Sequence, residues 1–325
     1  MVRAVIGREF GPPEAYQLEE FEPAPVGPDQ IRVAIKAIGI SYVDVLTALG
    51  KYQVTPPLPF IPGSECAGVV EAVGEGVTHV APADRVMGSS FGGIFAEANT
   101  FRATSFNKLP AALTLEQGAV FPPSYLTAVH ALTDRGRLRA GETLLVLGAG
   151  GATGIAAIQV GKALGARVIA SASSEDKRTA CLAAGADAAI DTRSVSWRED
   201  LKAANGGKPV DVVFDPVGGD MTDPAFRSLG YDGRYLVIGF TGGISSLKTN
   251  LPLVKTASMI GVQLRVFGER EPERMTETRE RMMAWAEQGL LQPVIGKTYA
   301  FEDYAAAMQD AFDGKTAGRI VMLVG

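Results

Sequence analysis

The spacing of hydrophobic and polar positions changes near residue 124 of this chain. In the segment 31–36 (IRVAIK), apolar branched residues alternate with small or charged ones, which predicts a half-buried strand. The segment 66–77 (CAGVVEAVGEGV) predicts a second strand that ends in a glycine-marked turn. Four prolines between residues 56 and 62 exclude a helix there. The pattern over residues 1–123 therefore predicts a β-rich domain.

After residue 124, short continuous apolar runs alternate with helical patterns. The runs TLLVL (143–147), VDVVF (210–214) and RYLVIG (234–239) have the character of buried parallel strands. Strands that alternate with helices predict an α/β domain with a doubly wound parallel sheet, over residues 124–265. The remainder, 266–325, offers one long helix and a strand–helix–strand tail. This is too short for a further domain, so we expect it to return and complete the first one.

Composition adds limits on class and partners. The chain has 325 residues, enough for two separate cores, and a net charge of −5, which argues against nucleic-acid or anionic-membrane binding. Its first residues lack an apolar signal region, and no apolar run reaches membrane-spanning length. Cys66 and Cys181 lie far apart in sequence, which makes a disulfide framework improbable. We therefore expect a soluble cytoplasmic protein, with no nucleic-acid or membrane partner.

Three glycines mark a candidate phosphate-binding loop. Gly148, Gly151 and Gly154 fall between a predicted strand and a predicted helix, where glycine permits a tight turn, close approach of the backbone to a pyrophosphate, and close helix–strand packing. The helix amino terminus then offers amide groups to the phosphates. The spacing GxxGxxG differs from the usual GxGxxG, so a glycine-rich turn without a ligand remains the alternative.

The residues after the next predicted strand point to one form of dinucleotide. A site for a cofactor without a 2′-phosphate carries an acidic residue about 20 positions after the loop, to accept the ribose hydroxyls. Here the sequence of residues 170–174 is Ala-Ser-Ala-Ser-Ser, and the first basic residue is Lys177. Serine hydroxyls and an ammonium group suit a 2′-phosphate, which predicts NADPH. The alternative is that Lys177 is a solvated lysine of a first helical turn.

The order of these parts resembles the medium-chain dehydrogenase/reductase superfamily. Zinc alcohol dehydrogenases of that group hold catalytic zinc with a cysteine, a histidine or acid, and a second cysteine. The matching positions here are Ser41, Ser64–Glu65 and Pro123, which provide no thiolate. The four-cysteine structural lobe is also missing, and the only histidines, His79 and His130, lie in no ligand pattern. We therefore predict a protein without zinc.

Within that superfamily, the whole chain resembles the zinc-independent quinone oxidoreductase branch, which includes zeta-crystallin. The resemblance rests on the order and spacing of motifs such as KAIGISYVDVLTALGKY, PPSYLTAVHAL, GAGGATG, SSEDK, FDPVGG, GRYLVIGF and TAGRIV. It implies a Rossmann NADPH-binding domain over 124–265, and a β-rich GroES-like catalytic domain over 1–123 that residues 266–325 complete.

The resemblance also implies cofactor contacts. Thr127 is expected to approach the nicotinamide. The segment VQLRVF near Leu264 is expected to form a strand that contacts the far side of the nicotinamide. Where relatives often have a ring against the adenine, this chain has Thr192, and Arg193 beside it is expected to assist at the 2′-phosphate. The residues expected to line the pyrophosphate are Gly151, Ala152, Thr153 and Gly154, and those expected to meet the 2′-phosphate are Ser173, Ser174 and Lys177. The residues expected to face the adenosine and nicotinamide ribose are Val217, Gly218, Ile238, Gly239, Phe240 and Thr241.

Three residues are candidates for the chemistry. Tyr52 is expected to donate a proton, because related enoyl reductases use a tyrosine in the corresponding stretch. The alternative is that Tyr52 only lines the pocket and packs its ring on the substrate. Ser41, where relatives usually have Asn, and Tyr42 are expected to orient the acceptor oxygen, unless their roles are structural. Asp44 and Glu65 are expected to be structural carboxylates. Leu46 replaces an aromatic residue of the family, which leaves the pocket size open.

We expect a quinone or a similar electron-poor molecule as the acceptor. The alternatives are an NADPH-dependent alkenal or 2-enoyl-thioester reductase, and a non-catalytic NADPH-binding sensor or structural protein. The family resemblance implies a homodimer, and the apolar segment 258–267 (SMIGVQLRVF), late in the sheet order, is the candidate for pairing of edge strands.

Overall fold

A computed structural model describes all 325 residues. The strands are, in chain order, β1 (Val2–Ile6), β2 (Gln17–Phe21), β3 (Gln30–Ile40), β4 (Glu65–Val73), β5 (Arg85–Ser89), β6 (Ala98–Arg102), β7 (Phe106–Lys108), β8 (Thr143–Val146), β9 (Arg167–Ala172), β10 (Ala188–Asp191), β11 (Val210–Asp215), β12 (Leu229–Val237), β13 (Ser258–Gly261), β14 (Ile295–Ala300) and β15 (Arg319–Leu323). The α-helices are α1 (Tyr42–Ala48), α2 (Leu115–Gly118), α3 (Pro122–Val129), α4 (Ala152–Ala163), α5 (Glu175–Ala183), α6 (Trp197–Ala204), α7 (Thr222–Arg227), α8 (Asn250–Lys255), α9 (Leu264–Arg270), α10 (Pro272–Glu287) and α11 (Tyr304–Asp313).

The chain divides into two compact units. One, the terminal unit, combines Met1–Pro123 with Ile295–Gly325, and the other, the central unit, is Ser124–Val294. No helix has both the length and the apolar character that a membrane crossing requires.

The terminal unit is built around a seven-stranded sheet with the order β14-β15-β3-β4-β5-β7, to which β6 adds by pairing with β3. The alternation predicted for 31–36 is confirmed, because Ile31, Val33 and Ile35 are fully buried while Lys36 is exposed. The last strand, β15, pairs antiparallel with β3, with Ile320 opposite Ile40. The carboxyl-terminal strand is therefore an integral part of this sheet.

The central unit contains a six-stranded sheet in which every neighbouring pair is parallel, with the order β10-β9-β8-β11-β12-β13. Its central strand β8 is completely buried, as its continuous apolar run requires. This confirms the predicted α/β class, with a doubly wound, Rossmann-type sheet and a separate β-rich sheet. All six strands end at the same edge, so the loops that follow β8, β9, β11 and β12 lie along one side of the sheet.

Two expectations differ from the structure. The segment 266–294, expected in the returning part of the chain, lies in the central unit, because the hydroxyl of Thr278 donates to Asp134 and the amide of Gln292 donates to the side chain of Gln159. The prediction of a strand near Leu264 is wrong. Leu264 begins α9, because the side chain of Gln263 caps that helix by accepting from the amide of Arg265 at 3.2 Å.

Candidate cofactor and substrate sites

The glycine loop connects β8 to α4, and each of its three glycines has a different structural reason. Gly148 has φ = +55°, a left-handed conformation that favours glycine. Gly151 precedes α4, and a Cβ added to it would meet only the carbonyl oxygen of Gly148, at 3.3 Å. A Cβ on Gly154 would lie 2.6 Å from backbone atoms of both Gly148 and Ala149. The tight turn, the open approach and the close packing that a dinucleotide loop needs are therefore all present.

The beginning of α4 is suited to an anion. No side chain caps this helix, whose first residues Ala152 and Thr153 are both partly exposed. Amide groups of a first helical turn lack partners within the helix, and the helix dipole adds a positive potential. This loop therefore has the backbone that a pyrophosphate requires, and it fits a dinucleotide.

Lys177 lies next to that loop. Ser174 caps α5 with its hydroxyl, which accepts from the amide of Lys177 at 3.4 Å, and Ser173 beside it is exposed. The stem of Lys177 runs along Gly150, where an added Cβ would be only 2.6 Å from the Cβ of Lys177. The structure therefore brings Ser173, Ser174 and Lys177 together with the glycine loop.

Arg193 and Thr192 follow the neighbouring strand β10. The Thr192 hydroxyl is 2.9 Å from the hydroxyl of Ser171, which also accepts from the indole of Trp197. The guanidinium of Arg193 is exposed and 3.5 Å from Asp191. The amide of Arg193 also donates to Asp191, and together with nearby positive charge it lowers the pKa of that carboxyl.

Arg178 was not among the cofactor residues predicted from the sequence. Its Nη1 lies 3.1 Å from Asp191 and donates to the carbonyl of Ala172, the last residue of β9. Asp191 therefore holds both Arg178 and Arg193 near the end of β9, where a 2′-phosphate is expected. The available signal was a second cation directly after Lys177 in the first turn of α5.

The loops after β11 and β12 are fixed to each other. The amide of Gly242 donates to the carbonyl of Val217 at 2.7 Å, and the hydroxyl of Thr241 donates to that of Pro216 at 3.3 Å. Ile238 and Gly239 begin the second loop, and the ring of Phe240 is 55% exposed. These residues lie at the carboxyl edge of the parallel sheet, where ligands of such sheets bind.

Asp215, also missed, organises the first of these loops. This buried carboxylate accepts the amides of Val217 and Gly218, at 2.8 and 2.9 Å, and the hydroxyl of Tyr235. Burial and the neighbouring carboxylate raise the pKa of Tyr235 well above its usual value, so its hydroxyl stays a donor. Asp215 thereby maintains the turn at Gly218, which has φ = +68°. The signal in the sequence was an Asp between an apolar strand and Pro216.

Two predicted cofactor residues remain, Thr127 and Leu264. Thr127 lies on α3 and is partly exposed, whereas its helical neighbours Leu126 and Ala128 are buried. Leu264 lies in the first turn of α9, so no strand wall is formed there.

In the terminal unit, Ser41 has a structural partner. Its hydroxyl donates to Asp44 at 2.7 Å, and its amide donates to the same carboxylate at 2.8 Å, which forms a capping box at the start of α1. Desolvation raises the pKa of Asp44, while hydrogen bonds from Ser41 and Ser64 oppose that rise.

Tyr42 and Tyr52 belong to separate aromatic pairs. Tyr42 stacks on Phe312 of α11, with ring centroids 5.7 Å apart and an interplanar angle of 16°. The half-buried Tyr52 lies at 6.4 Å from Phe91, which is 54% exposed. Phe91 also borders a small apolar cleft of about 30 Å³, lined in addition by Val43, Asp44, Thr47, Pro56, Phe60, Pro62, Gly63, Ser64 and Gly92. Tyr52 and Phe91 therefore present adjacent rings beside this cleft.

Glu65 forms a buried ion pair that the sequence did not indicate. Its Oε1 contacts Nη2 of Arg319, from β15, and the two residues are 1% and 8% exposed. Glu65 Oε2 has no hydrogen-bond partner. Burial raises the pKa of the Glu65 carboxyl, and the charge of Arg319 opposes that rise.

The side chains at the positions that match the zinc ligands of zinc alcohol dehydrogenases do not fit zinc. No three His, Cys, Asp or Glu side chains gather into a possible metal site. Ser41 is engaged with Asp44, and Glu65 is paired with Arg319. The histidines are occupied elsewhere: His79 Nε2 is 3.1 Å from the carbonyl of Ala103, and His130 Nδ1 is 2.9 Å from Asp134.

Comparisons with known proteins cover both units. A family model described as alcohol dehydrogenase GroES-like domain matches residues 27–111, and one described as zinc-binding dehydrogenase matches 152–285. Mouse quinone oxidoreductase-like protein 2 is 35% identical over 94% of this chain and 88% of its own length. Human quinone oxidoreductase is 32% identical over 100% and 98%. The structure of Escherichia coli quinone oxidoreductase complexed with NADPH matches with a TM-score of 0.87 and 29% identity, over 99% of each chain.

Proposed function

This chain belongs to the quinone oxidoreductase branch of the medium-chain dehydrogenase/reductase superfamily, and from that premise we propose that it reduces quinones or similar electron-poor acceptors with NADPH, without zinc. The observation that carries the proposal is the glycine loop, in which Gly148, Gly151 and Gly154 have the three geometries a dinucleotide needs and Lys177 lies alongside. When bound, NADPH supplies the hydride.

The choice of NADPH over NADH rests on charge. No carboxylate occupies residues 173–174 after β9, and Lys177 lies beside the glycine loop. Arg178 and Arg193 are also close to the end of β9, where both pair with Asp191 and Arg178 pairs in addition with Glu175. Such cations form charge-assisted hydrogen bonds with a phosphate, and a carboxylate there would repel it. The E. coli relative complexed with NADPH supports the same choice.

The choice of acceptor rests on the terminal unit. A quinone accepts a hydride readily and needs apolar contacts with few polar groups, which the rings of Tyr52 and Phe91 can provide. An alkenal or enoyl thioester additionally needs a polarised oxygen and a proton delivered to carbon. The hydroxyl of Ser41 already donates to Asp44, whereas Tyr42 stacks its ring on Phe312. Tyr52, which lies with Phe91 beside the small apolar cleft, is the main candidate for a proton donor in that alternative reaction.

The proposal is tested by following NADPH oxidation with a benzoquinone, phenanthrenequinone, an alkenal and crotonyl thioester, before and after dialysis against a chelator. We expect turnover with the quinones only, unchanged by the chelator. Turnover confined to the alkenal or thioester would replace quinones as the substrate class. Saturable NADPH binding without turnover of any acceptor would favour the non-catalytic alternative, and activity lost to the chelator and restored by zinc would contradict zinc independence.

Tyr52→Phe separates the two roles of this residue. With quinones we expect kcat/KM to change by less than about threefold, because the ring and its contact with Phe91 remain. With an alkenal, loss of a proton donor would lower kcat by roughly 100-fold or more. Tyr231→Phe is the matched control, since this tyrosine of β12 is 84% exposed, is not among the predicted site residues, and should have little effect with either acceptor.

We also propose a homodimer formed through β13. This strand is at the edge of the central sheet, paired only with β12, and its Met259 is 41% exposed. An unpaired apolar edge is a template for pairing with a second copy. Light scattering at micromolar concentration should give twice 34.1 kDa, and Met259→Lys should shift the mass toward the monomer. A wild-type mass of one chain would contradict this proposal.

A further inference from the structure

A second cleft in the central unit is strongly basic. It has a volume of about 260 Å³. Its lining includes Val210, the first residue of β11, and Ser228, the residue immediately before β12. Because the sheet is parallel, this amino edge is opposite the carboxyl edge that carries the glycine loop. Five cationic side chains line the cleft: Arg198, Lys202, Lys208, Arg227 and Lys255.

Most of this positive charge has no compensating carboxylate. Only Arg227 forms an ion pair, with Asp223 at 2.5 Å, and no Asp or Glu lines the cleft. Partial burial, and then the charges of Arg198 and Arg227, lower the pKa of Lys255. The cations therefore repel one another in the absence of an anion.

Helix dipoles account for only part of the cluster. Lys202, Arg227 and Lys255 lie in the last turns of α6, α7 and α8, where carbonyl groups favour a cation. Arg198, however, is the second residue of α6, at the end of a helix where a cation is disfavoured. Lys208 is not in a helix at all. The helix dipole therefore does not explain a positive charge at these two positions.

The loop that carries Lys208 is held in place from within. The buried side chain of Asn205 donates to the carbonyls of Lys208 and Pro209, at 3.1 and 2.8 Å, and accepts from the hydroxyl of Thr143. The amide of Gly207 donates to the carbonyl of Lys202 at 2.7 Å. The backbone at Lys208 is thereby fixed relative to α6 before any ligand arrives.

We propose that this cleft binds a compact anion with two or more phosphate groups, at a site separate from the cofactor. A pocket with four unpaired cations on fixed elements can neutralise several phosphate charges at once. The cleft has no aromatic side chain on which a base would stack, and the chain as a whole carries a charge of −5. These features favour a small polyanion over a nucleic acid.

The test uses isothermal titration of the full chain with inorganic tripolyphosphate at about 0.15 M salt, with NADP⁺ present to fill the cofactor's own phosphate site. We expect saturable binding of one anion per chain. The pair of substitutions Arg198→Gln and Lys255→Gln should weaken it roughly tenfold or more, because each removes a charge-assisted contact. Arg281→Gln, an exposed arginine of α10 outside any ion pair, is the matched control and should leave binding unchanged.

A second readout needs no ligand. Without an anion, Arg198→Gln should keep or raise the thermal unfolding midpoint, because it relieves repulsion between Arg198 and Lys255 and removes a cation from the amino-terminal end of α6. A marked fall in that midpoint would show that these cations stabilise the fold and would overturn the proposal. The proposal would also be overturned by an absence of saturable binding, by binding lost in Lys177→Ala instead of the cleft variants, or by preferential binding of a single-stranded oligonucleotide.

Discussion

Gly151→Val is expected to weaken NADPH binding on the order of a hundredfold while leaving the free energy of unfolding nearly unchanged. Gly151 has ordinary extended backbone angles, φ = −89° and ψ = 176°, which valine adopts without strain. Its added Cβ would meet only one protein atom, the carbonyl oxygen of Gly148 at 3.3 Å, and the rest of the side chain would extend beside the first turn of α4 from an exposed position. It would thus occupy the approach of the pyrophosphate and remove charge-assisted hydrogen bonds to the amide groups.

Two neighbouring substitutions give the contrast that makes this result specific. Gly154→Ala places a Cβ 2.6 Å from the backbone of Ala149, so the helix must shift, and overpacking of this kind costs about 1–3 kcal/mol of stability. Lys177→Ala removes an ammonium group beside Gly150 and should lower the preference for NADPH over NADH by roughly tenfold or more, with the fold intact.

The measurements are fluorescence titration with NADPH and NADH, and urea unfolding of each variant. We expect Gly151→Val to lose affinity for both cofactors, and Lys177→Ala to lose affinity for NADPH alone. Normal NADPH affinity in Gly151→Val would mean that the loop is a turn without a ligand. A large loss of stability in that variant would mean that the space beside Gly151 is needed by the protein itself.

Much of the fold around the candidate cofactor site was predictable because its signals are local. The period of apolar residues identifies β3 and β8, and a glycine loop between a strand and a helix needs only neighbouring residues to be recognised. The exception, Leu264, shows the limit of local reasoning. The segment 262–267 alternates like a strand, but Gln263 caps a helix and Phe267 packs on His130, with ring centroids 3.9 Å apart.

The partnerships of charged side chains were not predictable, because they join distant parts of the chain. Arg319 and Glu65 are 254 residues apart in sequence and meet only because β15 pairs with β3, beside β4. The basic cleft likewise collects cations from α6, α7, α8 and the loop before β11. A sequence of net negative charge gives no sign that positive charge is concentrated in one place.

Arg319→Leu is expected to destabilise the terminal unit by about 3–5 kcal/mol at pH 8, because it leaves the buried carboxylate of Glu65 without its cation. Asp44, a second buried carboxyl, contributes to the electrostatic repulsion felt by Glu65. Arg3→Leu is the matched control. Arg3 pairs at the surface with Glu97 and Glu302, so solvent screens that interaction and its loss should have little effect.

The cost of Arg319→Leu should depend on pH in a defined direction. Burial already raises the folded-state pKa of Glu65 above its unfolded value of about 4.3, and removal of Arg319 raises it further. An acid with a raised folded-state pKa contributes stability below its unfolded pKa, and this contribution is lost as pH rises through the folded value. The variant should therefore be closest to wild type near pH 5 and lose stability steadily toward pH 8.

Urea unfolding between pH 5 and pH 8 measures this directly. Adding Glu65→Gln to Arg319→Leu should recover part of the stability at pH 8 and flatten the pH dependence, because the double variant has no buried charge at Glu65 to protonate. The loss of stability in Arg319→Leu could instead be the same at every pH, with no recovery in the double variant. That result would mean that Arg319 stabilises the sheet through packing of its apolar stem and not through its charge. In that case apolar side chains could replace both Arg319 and Glu65, and the charge on Glu65 would contribute nothing to the stability of the terminal unit.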